Sequence, residues 1–363
     1  MPGLTPVPAD KVENDQREAD RNARPRAQPS GVEHPVNDES HETMQDERLA
    51  RPGLARVAEG ANGSVNHQSG TAQHLPVVAS MSAGEIGPTG RPLPNFPEPP
   101  ALTTHGPARI IAMCNQKGGV GKTTTTINLG AALAELGRKV LAVDFDPQGA
   151  LSVGLGINAQ ELDVTIYNLV VETGHDVRNI IRPTQTANLD VIPANIDLSA
   201  AEVQLVGEVA REQVLGRVLR PVLDDYDVVL IDCQPSLGLL TVNALTASHG
   251  VIIPLECEYF AMRGVALLID TIDKITDRLN PRLQVDGILA TMYDARTLHS
   301  REVVASVVNH FGEQVFHTVI SRTVKFPDAT LAAEPITSYS SDHSGAAAYR
   351  QLARELIARG GAA

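Results

Sequence analysis

The chain has 363 residues and a formal net charge of −13 at neutral pH. This acidic balance argues against binding nucleic acid over a broad surface, because phosphate contacts need clustered lysine and arginine. No segment offers the roughly 20 apolar residues that a membrane-spanning helix requires. The three cysteines, Cys114, Cys233 and Cys257, lie in or beside apolar runs without disulfide or metal spacing. They are predicted to be buried free thiols, which fits the cytosol.

The first 106 residues differ in composition from the rest of the chain. Residues 1–106 hold 14 of the 24 prolines and a single aromatic residue, Phe96. Such a stretch cannot bury enough apolar surface to offset the entropy lost on ordering. We therefore expect a disordered, proline-rich tail over residues 1–106, in which residues 38–50 form either a solvated linker, the favoured interpretation, or a short partner-binding helix. Residues 107–363, with a net charge of −8, are enough for one large domain.

A glycine-rich segment with two lysines lies near the start of this domain. The apolar run Ile110–Met113 is typical of a buried parallel strand, and residues 123–136 carry apolar residues along one helical stripe. Between them stands Lys117-Gly-Gly-Val-Gly-Lys-Thr-Thr124. A strand, a glycine-rich turn and a helix point successive backbone N–H groups at phosphate oxygens. Lys122 would add positive charge and Thr123 a hydroxyl for Mg²⁺, so the segment predicts a phosphate-binding loop.

The second lysine of this loop is unusual. Lys117 precedes Lys122 by five residues. Because one lysine already serves the phosphates of its own nucleotide, the other suggests a charge that is offered elsewhere. A nucleotide bound by a second copy of the chain, across a dimer interface, is the natural candidate.

Along the rest of the domain, apolar strand-like runs alternate with helical patterns. This alternation predicts an α/β fold, a doubly wound and mostly parallel sheet with helices on both faces. Ligands of such sheets bind beyond the carboxyl ends of the strands. The predicted strands are Ile110–Met113, Val140–Val143, Leu189–Ile192, Val228–Ile231, Val251–Pro254, Val285–Ala290 and Thr318–Ile320. The predicted helices include Thr123–Leu136, Leu198–Glu208, Val214–Leu223, Gly264–Leu279, Arg301–Phe311 and Ala346–Arg359.

Carboxylates follow two of the predicted strands. Asp144 and Asp146 come at the end of the second strand, where alternation places them on the same side of the chain. Asp232 directly follows the strand Val228–Ile231. Carboxylates at strand ends beside a phosphate loop suit cation binding and the positioning of a water molecule.

Together these segments resemble the ParA family of partition ATPases, which are relatives of MinD. Lys117–Thr124 is similar to the family's deviant Walker A loop with its signature lysine, and the run Asp144-Phe-Asp-Pro-Gln-Gly149 to its second acidic motif. Asp232-Cys-Gln-Pro-Ser-Leu-Gly238 resembles the Walker B segment. Residues 254–261 and 291–297 also resemble chromosomal ParA proteins of the Soj type. The resemblance covers about residues 108–359 and leaves the predicted tail outside.

The resemblance implies a phosphate-loop NTPase fold, with ATP and Mg²⁺ as cofactors. Asp146 would orient the attacking water, and Lys117 would reach the phosphates of the ATP held by a partner subunit. Lys117 and Lys122 would be catalytic together with Asp146. Mg²⁺ would be held by Thr123, with Asp144 and Asp232 supporting its water shell. The phosphates would be contacted by Gly118, Gly119, Val120, Gly121, Lys122, Thr123 and Thr124, and the adenine base by Met292, Ser321, Arg322 and Thr323.

In functional terms, the resemblance implies a weakly active ATPase that dimerises with ATP, associates with non-specific DNA and is stimulated by a ParB-like partner. Such a protein would be cytoplasmic and associated with the nucleoid. One departure bears on DNA binding, because residues 341–345 read Ser-Asp-His-Ser-Gly where the family commonly has a basic segment. The cations that remain as candidates are Arg322, Lys325, Arg350, Arg354 and Arg359.

Two alternatives to this function stay open. An orphan ParA-like regulator would keep the ATP switch but act on a protein partner, with weak DNA binding. A MinD-like positioning ATPase would need a further amphipathic, basic helix for the membrane. The apolar side of the predicted last helix is assigned to the core, so membrane binding is disfavoured.

Overall fold

The computed structural model describes residues 80–258 and 261–362. Its strands are β1 Ser80–Ile86, β2 Pro92–Asn95, β3 Arg109–Met113, β4 Val140–Phe145, β5 Arg182–Pro183, β6 Leu189–Ile192, β7 Val228–Cys233, β8 Gly250–Glu256 and β9 Gln284–Thr291. Seven of them form one sheet in the order β5-β6-β4-β7-β3-β8-β9. All neighbours in it are parallel except β5, which is antiparallel to β6. The predicted doubly wound, mostly parallel sheet is confirmed.

Helices cover both faces of this sheet. They are α1 Lys122–Glu135, α2 Ala150–Gly154, α3 Ile166–Val171, α4 Leu198–Gln204, α5 Val214–Leu219, α6 Leu239–Ala247, α7 Ala261–Arg278, α8 Leu298–Phe311, α9 Lys325–Leu331, α10 Ile336–Tyr339 and α11 Ser344–Ala358. One hydrophobic core contains residues of α1, α2, α9, α10 and α11, and the other contains residues of α3 to α8. Because both faces are covered, β4 and β7 are buried along their whole length, which explains their nearly continuous apolar sequences.

The register of the central strands brings the predicted site residues together. Asp232 at the end of β7 lies opposite Met113 of β3 on one side and opposite Asp144 of β4 on the other. The chain leaves β3 toward β4, whereas β8 and β9 lie on the opposite side of β3. Such a reversal of strand order opens a crevice at the carboxyl edge of the sheet. The loop after β3 lies at this crevice.

The predicted strand Thr318–Ile320 is wrong. The segment lies beside β9 and Ile320 donates its N–H to the carbonyl of Ala290, but the isolated bridges are made by residues on either side of it, Val315 with Ile288 and Ser321 with Tyr293. The N–H of Thr318 donates to the buried carboxylate of Glu355 instead of to a carbonyl of β9. The side chain of Glu355 therefore accepts the N–H group that a continuous ladder of backbone hydrogen bonds would use.

Two predicted helices end earlier than expected. α4 ends at Gln204 and continues as a 3₁₀ turn over Leu205–Gly207. α5 ends at Leu219 and is followed by a 3₁₀ segment over Arg220–Asp225. Pro221 lacks the N–H that a further α-helical turn would use, which accounts for the second change.

The described end of the predicted tail packs on the domain. β1 and β2 pair as an antiparallel hairpin, and Arg91 donates to the backbone carbonyls of Gly312 and Val315. Phe96 is buried, with its ring at an edge-to-face angle to the imidazole of His317. The expectation of disorder therefore does not describe residues 80–106. The predicted tail and its segment 38–50 otherwise lie outside the described residues.

Candidate nucleotide-binding site

The loop between β3 and α1 has the backbone conformation of an anion cradle. Gly119 and Gly121 have positive φ angles of 76° and 87°, which residues with a Cβ rarely adopt. Among residues 80–258 and 261–362 no side chain caps the start of α1, and the first turn of this helix has no acidic residue. The first N–H groups of a helix need partners, so at this end they can bind phosphate oxygens.

The two lysines of the loop have different environments. Lys122 is only 6% exposed, and its Nζ donates to the carbonyl oxygen of Lys117 at 3.2 Å, across the loop. The Nζ of Lys117 instead lies 2.6 Å from Glu258 and 2.9 Å from Glu256, with 45% of the side chain exposed. Hydrogen bonds from Glu258 and Glu256 raise the pKa of Lys117. Lys122 can therefore serve phosphates in its own loop, whereas the charge of Lys117 lies outside it.

A hydroxyl and a carboxylate meet beside the loop. The Oγ1 of Thr123 donates to Asp232 Oδ2 at 2.6 Å. The other carboxylate oxygen, Asp232 Oδ1, is buried and has no hydrogen-bond partner among the described residues. Burial, followed by the charge of nearby Asp144, raises the pKa of Asp232 to about 8. A buried carboxylate with an unsatisfied oxygen is suited to a cation, and Thr123 keeps lone pairs for it.

These residues fit Mg²⁺ held together with phosphate and water. In the described part of the chain, no three His, Cys, Asp or Glu side chains are grouped so that they could hold a metal ion by themselves. Mg²⁺ commonly keeps several waters and uses few protein ligands beside substrate phosphates. Thr123 and Asp232 meet that requirement.

Asp144 has a structural task that the sequence did not reveal. Its Oδ2 accepts bonds from the N–H and the hydroxyl of Ser152, at 2.8 and 2.6 Å. Its Oδ1 accepts a longer bond of 3.3 Å from the N–H of Asp146. Burial raises the pKa of Asp144 to about 7. Asp144 therefore fixes the loop after β4, which leaves mainly Oδ1 to support a water shell.

Asp146 remains accessible at the same edge. It is half-buried, and its Oδ1 accepts the N–H of Gln148 at 3.0 Å. Its Oδ2 has no hydrogen-bond partner among residues 80–258 and 261–362. This oxygen can accept a proton from a water molecule at the mouth of the site.

The predicted adenine residues line one cavity of about 620 Å³ beside the loop. Met292, Ser321, Arg322 and Thr323 all contribute to its wall, and Gly121 and Thr124 join it to the phosphate loop. The hydroxyl of Thr291 donates to the carbonyl of Val120 at 2.8 Å, which ties the wall to the loop. The lining is mainly apolar, as a flat aromatic base requires.

Part of this cavity was not predicted. Ile320, Phe326 and Tyr349 also line it, yet none belongs to a phosphate-loop motif. The positive φ of 51° at Met292 is unusual for a residue with a side chain, and only the structure reveals it. The one sequence signal was the apolar character of α9 and α11, which equally indicates core.

The cations proposed for DNA contact are all paired within the chain. Each has a carboxylate within 4 Å, so they do not form a free basic surface. The pairs are Arg322–Glu256, Lys325–Asp328, Arg350–Glu135, Arg354–Glu98 and Arg359–Glu355.

Substituting Asp232 with asparagine should separate stability from metal binding. In a chelating buffer above about pH 8, where the carboxyl of Asp232 is ionised, we expect Asp232→Asn to raise the free energy of unfolding by about 1–3 kcal/mol, because a buried unsatisfied charge is removed. Mg²⁺ with ATP should then stabilise the variant far less than the unmodified chain. Thermal unfolding with and without Mg²⁺–ATP measures both effects. Equal stabilisation of the two proteins by Mg²⁺–ATP would contradict a metal role for Asp232.

The fold and this site define a phosphate-loop ATPase, and comparisons with known proteins give its family. A family model described as an AAA domain matches residues 108–285. The chromosome-partitioning ATPase Soj of Treponema pallidum is 49% identical over 253 residues, which are 70% of this chain and 98% of Soj. The chain therefore belongs to the ParA/MinD family of ATPases: it binds ATP and Mg²⁺, and it hydrolyses ATP.

Two mycobacterial proteins are also similar. An uncharacterized protein of Mycobacterium tuberculosis is 62% identical over 276 residues, 76% of this chain and 87% of that protein. A crystal structure described as cobyrinic acid a,c-diamide synthase from Mycobacterium smegmatis, with bound ATP analog and magnesium, is 41% identical. It has a TM-score of 0.61 and covers 69% of this chain and 94% of its own. Among the described residues, no helix is both long enough and apolar enough to cross a bilayer.

Proposed function

We propose that this protein is a ParA-type switch in chromosome partitioning. ATP closes a homodimer, the dimer associates with nucleoid DNA in the cytoplasm, and a ParB-like partner stimulates slow hydrolysis and release. One observation carries the proposal. The loop holds two lysines, and only Lys122 reaches across its own loop, while the ammonium group of Lys117 is exposed beside it.

The exposed lysine supplies the physical basis for a switch. Without a partner, Lys117 is neutralised by two carboxylates, Glu256 and Glu258. In a closed dimer it would exchange them for the triphosphate of the partner's ATP, which carries more negative charge. A fixed cation at that position also stabilises the negative charge that develops during phosphoryl transfer. Dimer formation thereby depends on which nucleotide is bound.

We assign the remaining roles on the same basis. Gly118–Thr124 contacts the phosphates, and Lys122 provides the positive charge beside the nucleotide that its own chain binds. Thr123 binds Mg²⁺, and Asp232 and Asp144 hold its waters. Asp146 orients the attacking water through Oδ2, which accepts no hydrogen bond from the described residues. The adenine base occupies the cavity lined by Met292, Ser321, Arg322 and Thr323.

The second candidate function is a ParA-like regulator that acts on a protein partner. It is favoured by the pairing of all five candidate DNA-binding cations with carboxylates. The MinD-like alternative has less support, because Tyr349, Leu352 and Leu356 of α11 are buried in the core. That apolar face is not available to a membrane.

DNA titration distinguishes the two leading functions. With the slowly hydrolysing Asp146→Ala variant, we expect DNA affinity at least about tenfold higher with ATP than with ADP, falling steeply between about 50 and 200 mM salt. The reason is that a dimer doubles the number of phosphate contacts. Equal DNA affinity in both nucleotide states would overturn the partition function. Dimers that form with ATP but do not bind DNA would favour the regulator.

A further inference from the structure

Residues 87–98 form a strap that lies across an edge of the domain. The strap begins at the turn between β1 and β2, where the N–H of Gly87 donates to the carbonyl of Arg91. Arg91 donates to the carbonyl of Gly312 at 3.1 Å and to that of Val315 at 2.7 Å. Phe96, 6% exposed, packs against His317. Arg91 and Phe96 therefore both contact one segment, residues 312–318, while Glu98 at the end of the strap pairs with Arg354 of α11.

This segment depends on side chains for its position. Among the described residues it makes one isolated bridge to β9, between Val315 and Ile288, with a bond from the N–H of Phe316 to the carbonyl of Ile288. The regular ladder that would normally fix an edge is missing. Instead, the carbonyl of Val315 accepts a second guanidinium bond, from Arg359 at 3.0 Å. The carboxylate of Glu355, fully buried, accepts the N–H groups of His317 and Thr318. Arg91 and Phe96 are the contacts that come from outside the α/β domain, and Arg91 is the one that hydrogen-bonds the backbone.

The segment leads directly into the wall of the cavity that is assigned to the adenine base. Ile320, two residues after Thr318, donates its N–H to Ala290 and lines the cavity. Ser321, Arg322 and Thr323 follow in the same wall. Val315 is five residues before Ile320, about 17 Å in extended chain. A displacement of residues 312–318 would therefore be transmitted through a short stretch of backbone to the cavity wall.

We propose that the strap is a positioning element of the nucleotide site, with Arg91 as its principal residue. It holds residues 312–318 so that residues 320–323 keep the shape that fits a purine base, and it leaves the phosphate loop unaffected. This inference rests on the assignment of adenine to the cavity beside Gly121.

The similarity to the mycobacterial relative extends beyond the α/β domain into the strap. Its match extends over 276 residues of this chain, whereas only 257 residues follow residue 106. At least 19 matched residues therefore precede residue 107. The match with Soj, over 253 residues, does not require any of them.

The test compares ATP with inorganic triphosphate, both with Mg²⁺, on the full chain. Triphosphate uses the phosphate loop alone, so a positioning defect at the purine wall should affect ATP only. For Arg91→Ala we expect the Kd for ATP to rise about fivefold to tenfold, the loss of one or two hydrogen bonds. The Kd for triphosphate should change less than about twofold. Arg91→Lys keeps the positive charge but has a single donor nitrogen in place of the two that Arg91 uses. It should raise the Kd for ATP by an intermediate factor, and it carries the test if Arg91→Ala does not fold.

Two control variants complete the test. Arg178 donates to the backbone carbonyl of Pro221 and pairs with Asp225, away from the strap, so Arg178→Ala should change neither Kd. Met292→Ala, in the cavity wall, should weaken the binding of ATP but not the binding of triphosphate. Suppose that Met292→Ala weakens the binding of ATP alone. If the Arg91 variants then bind ATP with the normal Kd, or if their Kd values for ATP and triphosphate rise by the same factor, the strap has no positioning role. If Met292→Ala leaves ATP binding unchanged, the adenine assignment fails, and the strap proposal with it.

Discussion

Replacing Lys117 with alanine is expected to abolish ATP-dependent dimers while a single chain still binds ATP. The affinity between subunits should fall at least about thirtyfold, because removing one partner of a desolvated charge contact costs about 2–5 kcal/mol. The affinity of the monomer for ATP should change less than about threefold, since Lys122 and the loop backbone remain. Sedimentation velocity with ATP and Mg²⁺, together with nucleotide titration at low protein concentration, measures the two quantities separately.

A control variant is needed because Lys117 also pairs within its own chain. Glu258→Gln removes the nearer of its two local carboxylates but keeps the lysine. If the loss of dimers arose from the broken internal pair, Glu258→Gln should lose dimers as well. Normal dimerisation of Glu258→Gln beside failure of Lys117→Ala would locate the effect in the lysine charge. Normal dimers in Lys117→Ala would refute the role across the interface.

The Asp146→Ala variant should still bind ATP but should hydrolyse it much more slowly. We expect the hydrolysis rate to fall about a hundredfold or more, the usual contribution of a group that positions or deprotonates the attacking water. The Kd for ATP should stay within about threefold, because the phosphate loop and Thr123 are unchanged. Single-turnover hydrolysis and equilibrium ATP binding give the two values. A variant that hydrolyses ATP at the normal rate would remove Asp146 from the mechanism.

Asp146 also holds a turn, so a matched variant is required. Asp146→Asn preserves an oxygen that can accept the N–H of Gln148 but lacks the negative charge. If the defect of Asp146→Ala were only structural, Asp146→Asn should restore hydrolysis. We expect it to remain slow, since an amide is not a proton acceptor of comparable strength.

The centre of the site was predictable because its chemistry is local in sequence. Lys117–Thr124 places strand, turn and helix in one short run, and Asp144 and Asp232 end apolar strands. Parallel strands that end at one edge then bring these residues together, as the register of β3, β7 and β4 confirms. In such segments the same short run of residues indicates both the secondary structure and the chemical role.

The edge of the domain was not predictable for the opposite reason. Thr318–Ile320 has the composition of a strand, but a buried carboxylate from α11, Glu355, takes the N–H group that the ladder needs. The strap has the composition of a disordered tail, yet Arg91 and Phe96 find partners more than 200 residues away in sequence. These contacts join distant parts of the chain, and no local pattern contains them.

The measurement that tests the central claim most directly is the mass of the Asp146→Ala protein in solution, by light scattering after size exclusion, with and without Lys117→Ala. With ATP and Mg²⁺ we predict twice the chain mass of 38.7 kDa for Asp146→Ala, and the single-chain mass with ADP. The double variant should stay at the single-chain mass with either nucleotide. A single-chain mass for Asp146→Ala with bound ATP, or a dimer of the double variant, would contradict a dimer closed by Lys117.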